Sequence, residues 1–366
     1  MGGATVRVFL NASSLPERPA GAGVYTLQLA RALAALPGIE VMAASPVPIA
    51  GTRHIAAPSG RPERRFLWEL GSLGDAVEES GADVYHGTHF YTPRRLRVPR
   101  VATLHDLTFF RLPRRYGWAH RRYYQAIART ARQAERVIVP SGAVASDAVR
   151  YLSLRPELIR VIAEAPKAGL CPAGADAVLA LKERLGIAGA YLLCLGTAEP
   201  GKRAVDAIRA MAVVRETNPE AVLVLAGNPG RLTGALEDEA ARLGVSDRVR
   251  LVGYVPDEDL AALLTGATAL IFPSLFEGFG LPPLEAMACG TPVISAEAPA
   301  MTEVLDEGAL FVPLRDPGAI ARAARALIDD AGLRGELGQR ARELAGRYSW
   351  PRAAEETAGV YREVIG

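Results

Sequence analysis

The sequence predicts an α/β protein built from two doubly wound domains, and three observations carry that prediction. Short apolar strands alternate with amphipathic helices along all 366 residues, the pattern of parallel sheets covered on both faces. At roughly 100–200 residues per domain, this length suits two domains, each large enough for its own core. The charge also changes sign midway. Residues 1–165 hold 22 Arg and no Lys against 13 Asp and Glu, whereas residues 166–366 hold 20 Lys and Arg against 27 Asp and Glu. Such asymmetry points to two domains with different partners.

The elements follow in order. Val6–Leu10 reads as a strand, and Gly23–Leu36 as a helix with Val24, Leu27, Leu29, Ala30 and Leu33 at helical spacing. Val84–His86 and Val101–Leu104 are short strands, Tyr123–Ala134 a helix and Val137–Pro140 a further strand. In the second half, strands at Tyr191–Leu195, Val222–Ala226, Val249–Val252, Ala269–Phe272, Pro292–Ser295 and Leu310–Val312 alternate with helices at Arg203–Glu216, Asp257–Leu264, Pro282–Ala288 and Ala319–Ile328. Ser349-Trp350-Pro351 opens a last helix, and Ser141 is expected to cap another. The Pro-, Gly- and Ala-rich stretch around Ala163–Asp176 lies where the charge changes sign. The expected division is therefore 1–165, a linker at 166–176, 177–348, and a closing helix at 349–366.

Composition excludes several classes. With 49% hydrophobic residues the chain is not disordered. Cys171, Cys194 and Cys289 are too scattered for a disulfide framework or a metal site, which favours a reducing compartment. Thr5–Leu10 already reads as a strand with no leader-like run after it, and no apolar stretch nears the ~18 residues of a membrane span. A soluble, cytoplasmic protein is expected. Neither half has the G-x-G-x-x-G of a dinucleotide fold, which disfavours a dehydrogenase.

The most informative segment is Phe272–Ser295, FPSLFEGFGLPPLEAMACGTPVIS. A strand ends at Pro273, a loop carries Glu277, Gly278 and Gly280, and Pro282 and Pro283 open a helix bearing Glu285. The glycines allow close backbone approach, and the helix N-terminus favours an anion. Two carboxylates beside an anion-binding helix end suit a nucleotide sugar, with one charge pattern for phosphate and another for hydroxyls. A second junction, LGTAEPGKR at Leu195–Arg203, places Lys202 between a strand and a helix in a chain with only three lysines. There it can hold a phosphate as a point charge.

Together these runs resemble the Glu-x7-Glu signature and the Gly-Thr-x-Glu-Pro-Arg-Lys motif of retaining GT-B glycosyltransferases, family four of the glycosyltransferase classification, and most closely its bacterial mannosyltransferase-like branch. The resemblance covers nearly the whole chain. It implies a GT-B fold, two Rossmann-like domains facing across a cleft, with the C-terminal helix crossing back to the N-terminal domain. By the same resemblance Glu277 binds donor-sugar hydroxyls beside the backbone N–H groups of Phe279, Gly280 and Leu281, with Gly278 in the same loop. Glu285 accepts from the ribose hydroxyls, and Thr197 and Lys202 belong to the diphosphate loop. Gly201 stands where the family usually has arginine, and Arg203 is the candidate substitute.

The N-terminal half offers PAGAGVYT, in which Gly21 and Gly23 resemble the family's glycine loop, with Gly23 against the donor phosphates and Gly21 on the acceptor side. His105, in VATLHDLTFF, resembles the family histidine that contacts the donor sugar, and Asp106 is a candidate to orient it or to touch the acceptor. His86 and His89 (HGTH) have ligand-like spacing without an evident third ligand, and are expected as acceptor-side wall residues. Phe109–Arg136 carries eight arginines interleaved with Tyr116, Trp118, Tyr123 and Tyr124. No nucleic-acid recognition motif accompanies them, and a basic aromatic face suits an anionic membrane surface or a lipid-linked acceptor.

The implied reaction transfers a hexosyl group, first mannosyl from GDP-mannose, from a nucleoside diphosphate sugar to a glycan or lipid-linked hydroxyl with retention of configuration. Polysaccharide or glycoconjugate biosynthesis at the cytoplasmic face of the membrane is the expected setting. No cofactor or metal is implied, since there is no Asp-x-Asp and Lys202 takes the cation's place. A GT-B nucleotide-sugar epimerase or a catalytically silent partner subunit are the alternatives.

Overall fold

The computed structural model describes residues 5–59, 62–228, 230 and 232–366. They divide into two units, one formed by the residues up to Ala168 together with Tyr348–Gly366, the other by Gly169–Arg347.

In the first unit β1 (Val6–Asn11), β2 (Ile39–Ser45), β3 (Arg53–Ala56), β4 (Val84–Gly87), β5 (Arg100–Thr103), β6 (Arg136–Val139) and β7 (Ile159–Val161) form one sheet. Its order is β3-β2-β1-β4-β5-β6-β7 and every pairing is parallel. The period-2 alternation of strand side chains sorts the core into two layers. Val8 and Leu10 join Val41, Val84, Val101 and Ile138 beneath the helices Ala22–Ala34 and Trp350–Ile365. Phe9 turns the other way, with Met42, Tyr85, Ala102 and Val137.

The second unit contains β8 (Tyr191–Leu195), β9 (Val222–Ala226), β10 (Val249–Gly253), β11 (Ala269–Phe272), β12 (Val293–Ala296) and β13 (Ala309–Val312), again all parallel, in the order β10-β9-β8-β11-β12-β13. Leu192, Leu223, Ile271 and Ile294 pack with residues of the helices Ala204–Val214 and Pro317–Asp329. Both units are therefore Rossmann-like. In each, the strand order reverses beside the first strand, between β1 and β4 and between β8 and β11. The crevice outside the carboxyl ends at such a switch point is where open α/β sheets bind ligands.

The C-terminal helix returns to the first unit as expected. Ser349 Oγ accepts the Arg352 N–H to cap it, and Trp350 Nε1 donates to the Pro166 carbonyl at 2.8 Å. Glu363 accepts from Arg136 at 2.7 and 2.8 Å and also from Arg160. Ser141 caps the helix Gly142–Leu152, its Oγ accepting the Val144 N–H at 3.3 Å.

Some boundaries differ from the sequence reading. The helix expected at Tyr123–Ala134 runs from Trp118 to Thr130. Its first turn is exposed, so buried periodicity begins a turn late. The helix Ala175–Arg184 starts inside the stretch expected to be linker. Strand β2 was not foreseen because its second half, Ala43-Ala44-Ser45, has weak strand preference. The mostly exposed edge strand β3 has no alternation to read.

Candidate functional site

In the second unit, the loops after β8 and β11 meet at the switch point. The Leu275 N–H donates to the Gly201 carbonyl at 2.9 Å, stitching the two loops together. Across this seam Lys202 Nζ donates to both carboxylate oxygens of Glu277, at 2.7 and 2.9 Å. The ammonium also lies 5.6 Å from the centre of the Phe272 ring, near enough for a cation–π attraction. Two residues singled out separately in the sequence, 75 positions apart, thus form one charged pair at the ligand-binding edge of the sheet. Thr197 is half-buried in the same loop.

Beyond Glu277 the chain turns sharply into the helix Leu281–Ala288. Gly280 has φ 98, and a Cβ there would sit 2.5 Å from Met301 Cε, so only glycine fits without displacement. Pro282 and Pro283 lie in the first turn, where they cost no hydrogen bond. Gly278, Phe279, Leu281 and Glu285 are buried around this turn.

Arg203 is placed differently from expectation. It stands in the left-handed region just before the helix Ala204–Val214, and its guanidinium forks onto Asp206 at 2.8 and 2.6 Å. Asp206 is fully buried. A buried carboxylate needs such a partner, so Arg203 neutralises Asp206 on its own helix. A hollow of about 140 Å³ borders this loop, lined by Ala198, Pro200, Val205, Leu232 and Leu236 among others. It is smaller than the ~300 Å³ at which ligand pockets usually begin.

In the first unit His105 follows β5. Its Nδ1 lies 3.1 Å from Glu164 Oε1 and its Nε2 2.8 Å from the Thr88 carbonyl. Neither nitrogen is left to hydrogen-bond a ligand directly. Asp106 does not orient the ring, because its Oδ1 accepts the Thr108 N–H at 2.8 Å. That task falls to Glu164, buried on the segment after β7 and missed in the sequence.

His86 is corrected from wall residue to core residue. It is fully buried, with Nδ1 2.7 Å from the Tyr361 hydroxyl and Nε2 2.8 Å from Thr103 Oγ1. Burial, with a smaller contribution from His105, holds its imidazole down to about 3. His89 is half-buried beside Phe90 and Tyr124, and is held down to about 3 by the same two causes and by Arg65. Among the described residues no group of three or more His, Cys, Asp or Glu is placed to hold a metal ion.

Gly21 immediately precedes the helix Ala22–Ala34. A Cβ on Gly23 would stand 3.1 Å from Pro16 Cδ and 3.3 Å from Pro19 Cβ, so this glycine lets the preceding proline loop fold back onto the helix. Ser274 Oγ, also missed in the sequence, is buried without a hydrogen-bond partner among the described residues, three positions before Glu277. No described helix is long and apolar enough to cross a membrane.

The sequence and fold match known proteins along most of their length. Residues 19–164 match the family model described as Glycosyltransferase Family 4, and residues 182–344 that of Glycosyl transferases group 1. The chain is 29% identical over 302 residues to the O-antigen chain mannosyltransferase B of Escherichia coli, covering 82% of this chain and 77% of that protein. It is 33% identical over 306 residues to the MMP alpha-(1->4)-mannosyltransferase of Mycolicibacterium hassiacum, covering 77% and 71%. Sucrose-phosphate synthase from Thermosynechococcus elongatus shares the fold, with a TM-score of 0.83 at 23% identity over 98% of this chain and 99% of that one. With two Rossmann-like units, a charged pair at the second switch point and these relatives, the chain belongs to the family-four glycosyltransferases of GT-B fold.

Proposed function

We propose that the protein transfers a mannosyl group from GDP-mannose to a hydroxyl of a glycan or lipid-linked acceptor, with retention of configuration, in cell-surface polysaccharide biosynthesis. The observation that carries the reading is the Lys202–Glu277 pair at the carboxyl ends of β8 and β11. An ammonium and a carboxylate held side by side match the two halves of a nucleotide sugar. The ammonium meets the diphosphate as negative charge grows on it, and the carboxylate accepts from sugar hydroxyls. Backbone N–H groups at Gly278–Leu281 and the helix that begins there add to the anion's stabilisation. Glu285 takes the ribose hydroxyls, and Thr197 lines the diphosphate loop. With Lys202 supplying positive charge at the leaving group, the reaction proceeds without a metal ion. The mannosyltransferase relatives support the choice of sugar.

The first unit supplies the acceptor-side groups, Gly21, His89 and Asp106 among them. Its surface supports a lipid-linked acceptor at an anionic membrane. Trp118 is 72% exposed with the Arg122 guanidinium 6.0 Å from its ring, and Leu67 is 68% exposed on the helix Pro62–Gly71. That helix contacts Tyr123 through Phe66.

A thermal-shift panel of GDP-, UDP-, dTDP- and ADP-sugars tests the donor, since a ligand that binds only the folded state raises its melting temperature. GDP-mannose is expected to give the largest shift and Lys202→Ala to abolish it. No shift with any nucleotide sugar would refute the proposal. Product analysis with donor alone separates transfer from epimerisation, and absence of any turnover would identify a silent subunit.

A further inference from the structure

His105 sits between two acceptors. The Thr88 carbonyl, 2.8 Å from Nε2, has no proton to give, so that bond requires an N–H on Nε2. A neutral ring would then turn a bare Nδ1 lone pair toward the Glu164 carboxylate at 3.1 Å, lone pair against lone pair. The contact closes only with one more proton. We infer that His105 stands as an imidazolium, protonated on both ring nitrogens, with the buried Glu164 carboxylate as its counter-ion and positioning residue.

The pairing also answers a second need, because a carboxylate as buried as that of Glu164 requires a charged partner. The surroundings fit a fixed cation. Tyr25 packs edge-on at 4.7 Å, its hydroxyl held 3.0 Å from Thr103 Oγ1. Phe90 lies at 6.4 Å and His89 at 6.2 Å. His86 and His89 are both held down to about 3, so they stay neutral beside it. Glu164 faces the ring, while the neighbouring Asp106 carboxylate is turned to the Thr108 N–H.

This assigns His105 a role other than that of a base. With no lone pair on either nitrogen, it accepts no proton from an acceptor hydroxyl. It presents fixed positive charge at the carboxyl end of β5, which favours an anionic ligand there. That consequence rests on the proposed function, whereas the count of protons does not.

The test is nitrogen NMR of protein labelled with 15N-histidine near neutral pH, the His105 signals being assigned by their loss in His105→Gln. Both nitrogens are expected at protonated-type shifts. One protonated and one bare nitrogen in the wild type would overturn the inference, whichever variants fold. In Glu164→Gln the side chain keeps its shape but carries no charge, and its amide N–H can donate to a bare Nδ1. There the ring is expected to lose one proton, and kcat to fall by about tenfold or more with donor KM within about twofold. Retention of both protons in Glu164→Gln would remove Glu164 as counter-ion. A ring that loses its proton with kcat unchanged would leave the imidazolium standing and refute the catalytic use of His105.

Discussion

Replacing Glu277 by glutamine separates the two jobs given to the Lys202–Glu277 pair. The Lys202 ammonium is held by two charge-assisted hydrogen bonds of 2.7 and 2.9 Å. A diphosphate must compete for that ammonium. The Lys202 and Glu277 side chains are 30% and 13% exposed, so the pair is worth more than a solvated one, at up to ~1 kcal/mol. It is worth less than a dry charged hydrogen bond, at ~3 kcal/mol. Taking about 1–2 kcal/mol, and about 1.4 kcal/mol per tenfold in affinity, Glu277→Gln is expected to bind GDP about 5–30-fold more tightly. Transfer is expected to fall by about 10²-fold or more, because the amide accepts sugar hydroxyls without the negative charge. Isothermal titration with GDP and a donor-turnover assay read the two effects. Equal or weaker GDP binding by a variant that melts normally would refute the competition, and with it the placement of the diphosphate on Lys202.

Two further outcomes follow from packing and burial. Gly280→Ala places a Cβ at φ 98 and 2.5 Å from Met301 Cε. Backbone strain of ~1–2 kcal/mol plus side-chain displacement gives about 2–3 kcal/mol, expected to lower the melting of the second unit by roughly 4–12 °C in calorimetry. An unchanged melt would show that the turn relaxes. Acid is expected to weaken the first unit. His86 is held down to about 3, whereas an unfolded histidine titrates near 6.5. The unfolded chain therefore takes up a proton that the fold refuses, so stability is complete above about pH 6.5 and falls as the pH drops towards 3. The slope is at most ~1.4 kcal/mol per pH unit for this residue. Glu69, whose carboxyl burial pushes up from 4.5, acts in the opposite direction over the range just above that value. The informative comparison is therefore with His86→Gln, whose melting temperature should fall less steeply between pH 7 and 5. Parallel curves would remove His86 as the cause.

Features confined to one short run of sequence were legible, and features made by distant pairing were not. The strand–loop–helix junctions at Lys202 and Glu277 announce themselves through glycine, proline and isolated charge, and the fold brings the two together. Arg203 looked like a spare cation because a lysine precedes it, yet the acid three residues on, Asp206, is a local partner that helical spacing could have revealed. His86 and His89 share a spacing that suggests common chemistry. Their fates diverge because one is bonded to Tyr361, 275 positions away. Glu164 lies 59 residues from His105 in a stretch whose composition reads only as connection. Only the parallel order β4-β5-β6-β7 brings it near.

The return of the C-terminal helix has a consequence for biogenesis. A ribosome delivers all of Gly169–Arg347 before the segment Tyr348–Gly366 that completes the first unit. During that interval the underside of Val8, Leu10, Val84 and Val101, later sealed in part by Trp350, Ala354 and Tyr361, lacks that portion of its cover. The later-made unit can finish folding while the earlier one waits, so frameshifts or proteolytic trimming near the tail damage the half of the molecule that was synthesised first.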